Sequence, residues 1–164
     1  MAALAALVAL FAAPHQTLAQ APDVTTYQDW AVECLTQAET GAKPCEMRQF
    51  VFADEARTQR ALMVVVGYPR PVGDPGMLLL LPLGISIPAG VFLQIDQGEP
   101  QPIPVERCEP DGCVIELLLS PAYLAVLKAG SQATVHAHDR SRRRFVITFS
   151  LLGFTAALGS LTPG

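Results

Sequence analysis

The six residues Cys108-Glu109-Pro110-Asp111-Gly112-Cys113 constrain the fold more than any other stretch of this chain. Two cysteines close a Pro-Asp-Gly turn, with Pro104-Val105-Glu106-Arg107 before it and the apolar run Val114 to Leu119 after it. Proline presets φ for a turn and glycine accepts a positive φ, so the stretch reads as a stapled β-hairpin. Two further cysteines, Cys34 and Cys45, make three pairings arithmetically possible. Cys34–Cys45 with Cys108–Cys113 is preferred, because each pair closes a short loop rich in Gly, Pro or polar residues between strand-like segments. The loop-entropy account assigns ~3 kcal/mol to the larger loop and somewhat less to the smaller. A four-thiolate zinc site would want close-spaced cysteine pairs and a reducing compartment, and the sequence offers neither.

Disulfides imply export. Met1 to Ala13 is almost wholly Ala, Leu and Val, and Thr17-Leu18-Ala19-Gln20 places small residues where a signal peptidase reads. A secretory signal peptide over 1–19 is expected, cut after Ala19, although no Lys or Arg precedes Lys43 to form a basic leader. The apolar run is shorter than the ~20 residues a membrane helix needs, so no transmembrane segment is expected in the mature chain. No cysteine follows the cut, which argues against a lipoprotein. What remains, residues 20–164, fits one domain of ordinary size. Hydrophobic residues at 51%, charged residues at 16% and 14 prolines describe a chain with a sizeable core and many turns. Two lysines, nine arginines and a net charge of −4 give no general attraction to nucleic acid.

Alternation of apolar and polar residues predicts short strands throughout. Tyr27 to Cys34 puts Trp30, Val32 and Cys34 on one face, and Cys45 to Phe52 does the same with Cys45, Met47 and Gln49. Ala61 to Gly67 and Met77 to Leu81 are apolar throughout and read as strands covered on both sides. Val91 to Asp96, Gln101 to Arg107, the stapled hairpin, Gln132 to Asp139 and Phe145 to Ser150 complete about nine strands. Asp54 to Gln59 and the proline-rich 69–76 are loops. Ser120-Pro121 starts a helix that runs over Ala122 to Ala129 and is stopped by Gly130, and Ser150 to Leu161 carries a second helical spacing. This pattern predicts an all-β fold, an antiparallel β-sandwich with one or two short helices; a small closed barrel is the alternative.

The motifs add up to a resemblance. Asp29-Trp30-x-Val32-x-Cys34, Cys45-Glu46-Met47-x-Gln49, Leu81-Pro82-Leu83-Gly84, Pro88-Ala89-Gly90-Val91, Asp96, Cys108-x4-Cys113 and Ser150-Leu151-x-Gly153-Phe154-x-Ala156-Ala157-Leu158 resemble the invasion-associated locus B family of exported bacterial proteins. They run from about residue 27 to residue 160, nearly the whole mature chain. The resemblance implies an immunoglobulin-like sandwich in the periplasm or on the surface of a Gram-negative bacterium. Members in host-associated bacteria are linked to host-cell entry, and similar proteins occur in bacteria that invade nothing. It implies no catalytic residues and no cofactor.

Two constellations carry chemistry of their own. His136 and His138 stand at i and i+2 on one strand face with Asp139 beside them, a spacing that metal sites on sheets use, although a structural or solvent-facing pair is the preferred reading, since the one other histidine, His15, would leave with the signal peptide. Arg140, Arg142, Arg143 and Arg144 crowd one turn of a mildly acidic protein. They fit an anionic surface or acidic partner, or else a solvated hairpin tip that discourages edge pairing. Nucleophilic catalysis finds no Gly-x-Ser-x-Gly and no free thiol once both bridges form, so an enzyme is not expected. The expected role is an exported binding or accessory module, its partner an unidentified protein of the envelope or of a host surface and not a specific nucleic acid. A periplasmic metal-binding protein or enzyme using His136 and His138, and a structural envelope component, are the alternatives.

Overall fold

The computed structural model describes residues 23–35, 44–70 and 73–161. The expected signal peptide lies outside them.

Among the described residues, eleven strands form two antiparallel sheets. One has seven strands in the order β1-β2-β3-β4-β5-β9-β8: β1 Asp23–Tyr27, β2 Trp30–Cys34, β3 Cys45–Phe52, β4 Arg60–Gly67, β5 Gly76–Leu81, β8 Arg107–Glu109 and β9 Gly112–Leu118. The other has four in the order β11-β10-β6-β7: β6 Phe92–Ile95, β7 Gln101–Pro102, β10 Gln132–His138 and β11 Arg144–Ser150. Two short helices, α1 Pro121–Ala129 and α2 Phe154–Ser160, complete the fold. The expected two-sheet, antiparallel architecture is present.

The core lies between the sheets. Val32, Met47, Leu62, Val64, Leu79 and Ile115 of the large sheet meet Leu93, Val135, Ile147 and Phe149 of the small one, all buried. Each alternates with a more exposed neighbour, which is what period-2 strands with one core face require. β4 and β5 follow the same alternation: Ala61, Met63 and Val65, like Leu78 and Leu80, are only half-buried on the outer face. The continuous apolar runs therefore mark strands central to a sheet, with one face in the core and the other partly covered. α2 closes one end of the sandwich, with Phe154 packed edge-on against Trp30 at 5.4 Å between ring centroids and Phe149 against the same indole at 6.4 Å.

Both disulfides form as expected, Cys34–Cys45 and Cys108–Cys113, and each joins two residues that face each other across neighbouring strands. Three local expectations change. The single strand over 27–34 is a hairpin, because Gln28 adopts φ 52° and turns Tyr27 back against Trp30. Its first arm, β1, is an exposed edge whose polar residues carry no alternation to read. The strand over 101–107 is broken: Pro102 and Pro104 cannot donate to a ladder, so β7 ends at Pro102 in the small sheet and the chain crosses to begin β8 at Arg107 in the large one. Gly130 ends α1 at φ −79°, a conformation open to any residue. What requires glycine there is space, since a Cβ would stand 2.7 Å from Ile95 Cγ2 and 2.9 Å from Leu151 Cδ1.

Candidate functional site

The β10–β11 connection is a tight turn built around one carboxylate. Asp139 Oδ1 accepts the backbone N–H groups of Ser141 at 2.8 Å and Arg143 at 3.0 Å, while Oδ2 accepts Nε and Nη2 of the Arg143 guanidinium. Backbone bonds between Asp139 and Arg143, and from Arg142 N–H to the Asp139 carbonyl, close the loop, with Arg142 at φ 60°. These bonds, led by the Arg143 backbone N–H, hold the Asp139 carboxyl below its ordinary value. The turn is thus preorganised, and it consumes one arginine to do so. Arg140 and Arg142 are exposed, and no carboxylate among the described residues pairs with either.

Arg144 takes a different role. Its Nη2 lies 2.7 Å from His136 Nδ1, and His136 Nε2 lies 2.7 Å from Gln94 Oε1. A guanidinium can only donate, so Nδ1 accepts and the Nε2–H donates to Gln94: the ring is neutral and its tautomer fixed. Burial first, and then the Arg144 charge, push the His136 pKa down from 6.5. Both ring nitrogens are therefore engaged, and a metal at His136 would have to displace an arginine. His138, two residues on, has a buried Nδ1 with no hydrogen-bond partner. No group of three or more His, Cys, Asp or Glu among the described residues could hold a metal ion.

Two concavities accompany these groups. On the outer face of the large sheet, Val65, Leu78 and Leu118 floor a groove of about 640 Å³ rimmed by Glu33, Glu46, Arg48 and Glu116. Each of its rim carboxylates is ion-paired: Arg48 pairs with Glu33 at 2.9 Å and with Glu46, and Glu116 with Arg107 at 2.7 Å. The second, of about 450 Å³, runs between β11 and the end of the large sheet, where Phe52, Ala61 and Pro82 face Phe145 and Ile147. Arg60 lines it, and the arginine turn stands at one end of its β11 wall. The sequence placed the arginines together and the histidines on one face. It did not pair His136 with Gln94 or reveal the groove, because both depend on which strands become neighbours across sequence distances that no local pattern encodes.

A different set of residues converges at the other end of β11. Gln49 Nε2 donates to the carbonyls of Asp29 and Ser150, Gln49 Oε1 accepts the Ser150 N–H at 2.8 Å, and the Trp30 indole N–H donates to the Ser150 carbonyl at 3.1 Å. Gly153 must follow at φ 88°, since a Cβ there would stand 2.0 Å from the Tyr27 carbonyl oxygen. Asp96 accepts the N–H groups of Ser131 and Gln132 and so sets the start of β10.

The family model for invasion associated locus B (IalB) protein matches residues 30–162. The chain belongs to the invasion associated locus B family. An invasion protein B homologue of Brucella abortus strain 2308 is 33% identical over 136 residues, 81% of this chain and 75% of the relative, and its counterpart in biovar 1 strain 9-941 matches equally. The crystal structure of invasion associated protein B from Bartonella henselae shares the fold, with a TM-score of 0.70 at 24% identity, covering 83% of this chain and 92% of that one. Trp30, Gln49, Asp96, Ser150, Gly153 and the four cysteines, all in the sequence motifs that resemble the family, hold this fold together. The arginine turn lies outside those motifs.

Proposed function

We propose that this IalB-family protein is an exported binding module, oxidised outside the cytoplasm, that engages an acidic partner through its arginine turn. The partner belongs to the bacterial envelope or to a host surface, in keeping with the invasion protein B names of its Brucella relatives. One observation carries the reading: Asp139 spends itself organising the turn, leaving Arg140 and Arg142 exposed and unneutralised. Unpaired cations on a mildly acidic protein attract anions locally, and because the turn backbone is already ordered, binding has only their side chains to immobilise. The signal-peptide-like sequence of residues 1–19 and the two disulfides support export. His136 is engaged at both nitrogens and Cys34, Cys45, Cys108 and Cys113 in disulfides, so a metal or nucleophile reading at these residues would have to break bonds they already make.

Binding of the exported protein to immobilised polyglutamate tests the proposal. Affinity should fall steeply between low and physiological salt, as screening predicts, and should drop on R140S/R142S substitution. Binding indifferent to salt and to both substitutions would overturn it.

A further inference from the structure

We infer that the free edge of β11 accepts an extended segment of an acidic partner protein as an added strand, docked in the groove beside Phe52 and Pro82. This deepens the acidic-partner reading and rests on it.

The direction of the edge follows from Ser150. Its N–H and C=O both point away from β10, to Gln49 and Trp30. Opposed residues in an antiparallel ladder alternate between bonded and non-bonded pairs, so Ser150 opposite Gln132 is a non-bonded pair and Ile147 opposite Val135 a bonded one. Thr148 and Val146 therefore present their N–H and C=O groups in the same outward direction as Ser150. β11 is the outermost strand of its sheet, and among the described residues no hydrogen bond takes up these groups. At Ser150 the side chain of Gln49 substitutes for a neighbouring strand. Past it toward Arg144, the place of that neighbour is the groove of about 450 Å³.

The groove selects the occupant. Unpaired backbone groups in a row call for extended backbone. Side chains of an added strand would alternate between Phe52, Ala61 and Pro82 on the inner side and Val146, 53% exposed, on the outer. The segment would end at Arg140 and Arg142, with Arg60 lining the groove along its course. An alternating apolar strand bearing carboxylates at the end that meets the turn satisfies all three conditions.

The test uses the exported, oxidised protein and a synthetic peptide of about eight alternating Val and Thr residues with two Glu at one terminus, a length typical of a strand. Hydrogen exchange at the Val146 and Thr148 amides should slow at least about tenfold at saturation, the protection a new ladder confers. Two versions of the peptide, N-methylated on complementary sets of alternate amides, separate the mechanism. Methylation of the set facing β11 should weaken binding about tenfold or more, and methylation of the other set should leave it within about twofold, because only one set of amides reaches the ladder. Replacing Glu by Lys in the peptide, or R140S/R142S in the protein, should also weaken it. Equal binding of both methylated peptides, no protection of Val146 and Thr148 up to millimolar peptide, or a dimer whose formation protects those amides would overturn strand addition. Salt-dependent capture of polyglutamate that survives such a result would leave the acidic-partner reading standing.

Discussion

Gln49 on β3 and Ser150 at the end of β11, 101 positions apart, exchange two hydrogen bonds, the side-chain amide donating to the carbonyl and accepting from the N–H of the same residue. The amide imitates a peptide group of a missing strand and ties the two sheets at one corner. Gln49 is only 9% exposed, and while the Trp30 indole also donates to the Ser150 carbonyl, Gln49 is the partner of the Ser150 N–H.

Q49L should therefore destabilise the protein by about 2–3 kcal/mol, since it leaves the part-buried Ser150 N–H without a partner while changing little volume. Urea unfolding should show a lower midpoint at an unchanged slope. A loss below about 0.5 kcal/mol, the scatter of ordinary surface changes, would mean that water replaces the amide.

Gly153 and Gly159 differ sharply in what a methyl group would meet. G153A drives a Cβ to 2.0 Å from the Tyr27 carbonyl at φ 88° and should cost more than about 4 kcal/mol, enough to prevent folding of a marginal domain. Around Gly159, exposed in α2, a Cβ meets nothing within 4 Å, so G159A should leave stability unchanged or raise it by up to about 1 kcal/mol. Thermal denaturation of the two variants is a direct comparison.

Reduction should lower stability by about 3 kcal/mol for Cys34–Cys45 and about 2 kcal/mol for Cys108–Cys113, the ranking set by loops that span sequence separations of 11 and 5. C34S/C45S and C108S/C113S double variants, compared by urea unfolding, check both the magnitudes and their order.

His136 should make the protein less stable in mild acid. Its pKa is depressed in the folded chain and returns to 6.5 on unfolding, so the unfolded state binds more protons as pH falls. Stability is retained above pH 6.5 and declines as pH drops through that value toward the folded pKa. H136Q, whose side chain stays neutral, should flatten the pH dependence of the melting temperature between about pH 7 and 5. An unchanged slope would assign the acid sensitivity elsewhere.

The sequence carried the sandwich plainly wherever one face met the core, as in β3, where Met47 and Gln49 alternate with less buried neighbours. It carried the disulfides because their partners are close in sequence and face each other in adjoining strands. It hid β1, which is exposed on both sides, and the broken 101–107 segment, where sheet choice depends on Pro102 and Pro104. Of the candidate site, the arginines were visible as a run of charge. The Gln94–His136–Arg144 chain and the free β11 edge were not, since strand order across the small sheet decides both. Gln49 was legible as a residue on the core face, yet its bond to Ser150 required the two sheets to be assembled.

Export and oxidation underlie every role proposed for this protein. Expression of the full chain in a Gram-negative host, followed by fractionation, intact mass and thiol alkylation under native conditions, measures both together. The predicted product is periplasmic or extracellular, begins at Gln20, and has no alkylatable thiol because Cys34–Cys45 and Cys108–Cys113 are closed. A cytoplasmic protein that retains residues 1–19 and exposes free thiols would contradict the account.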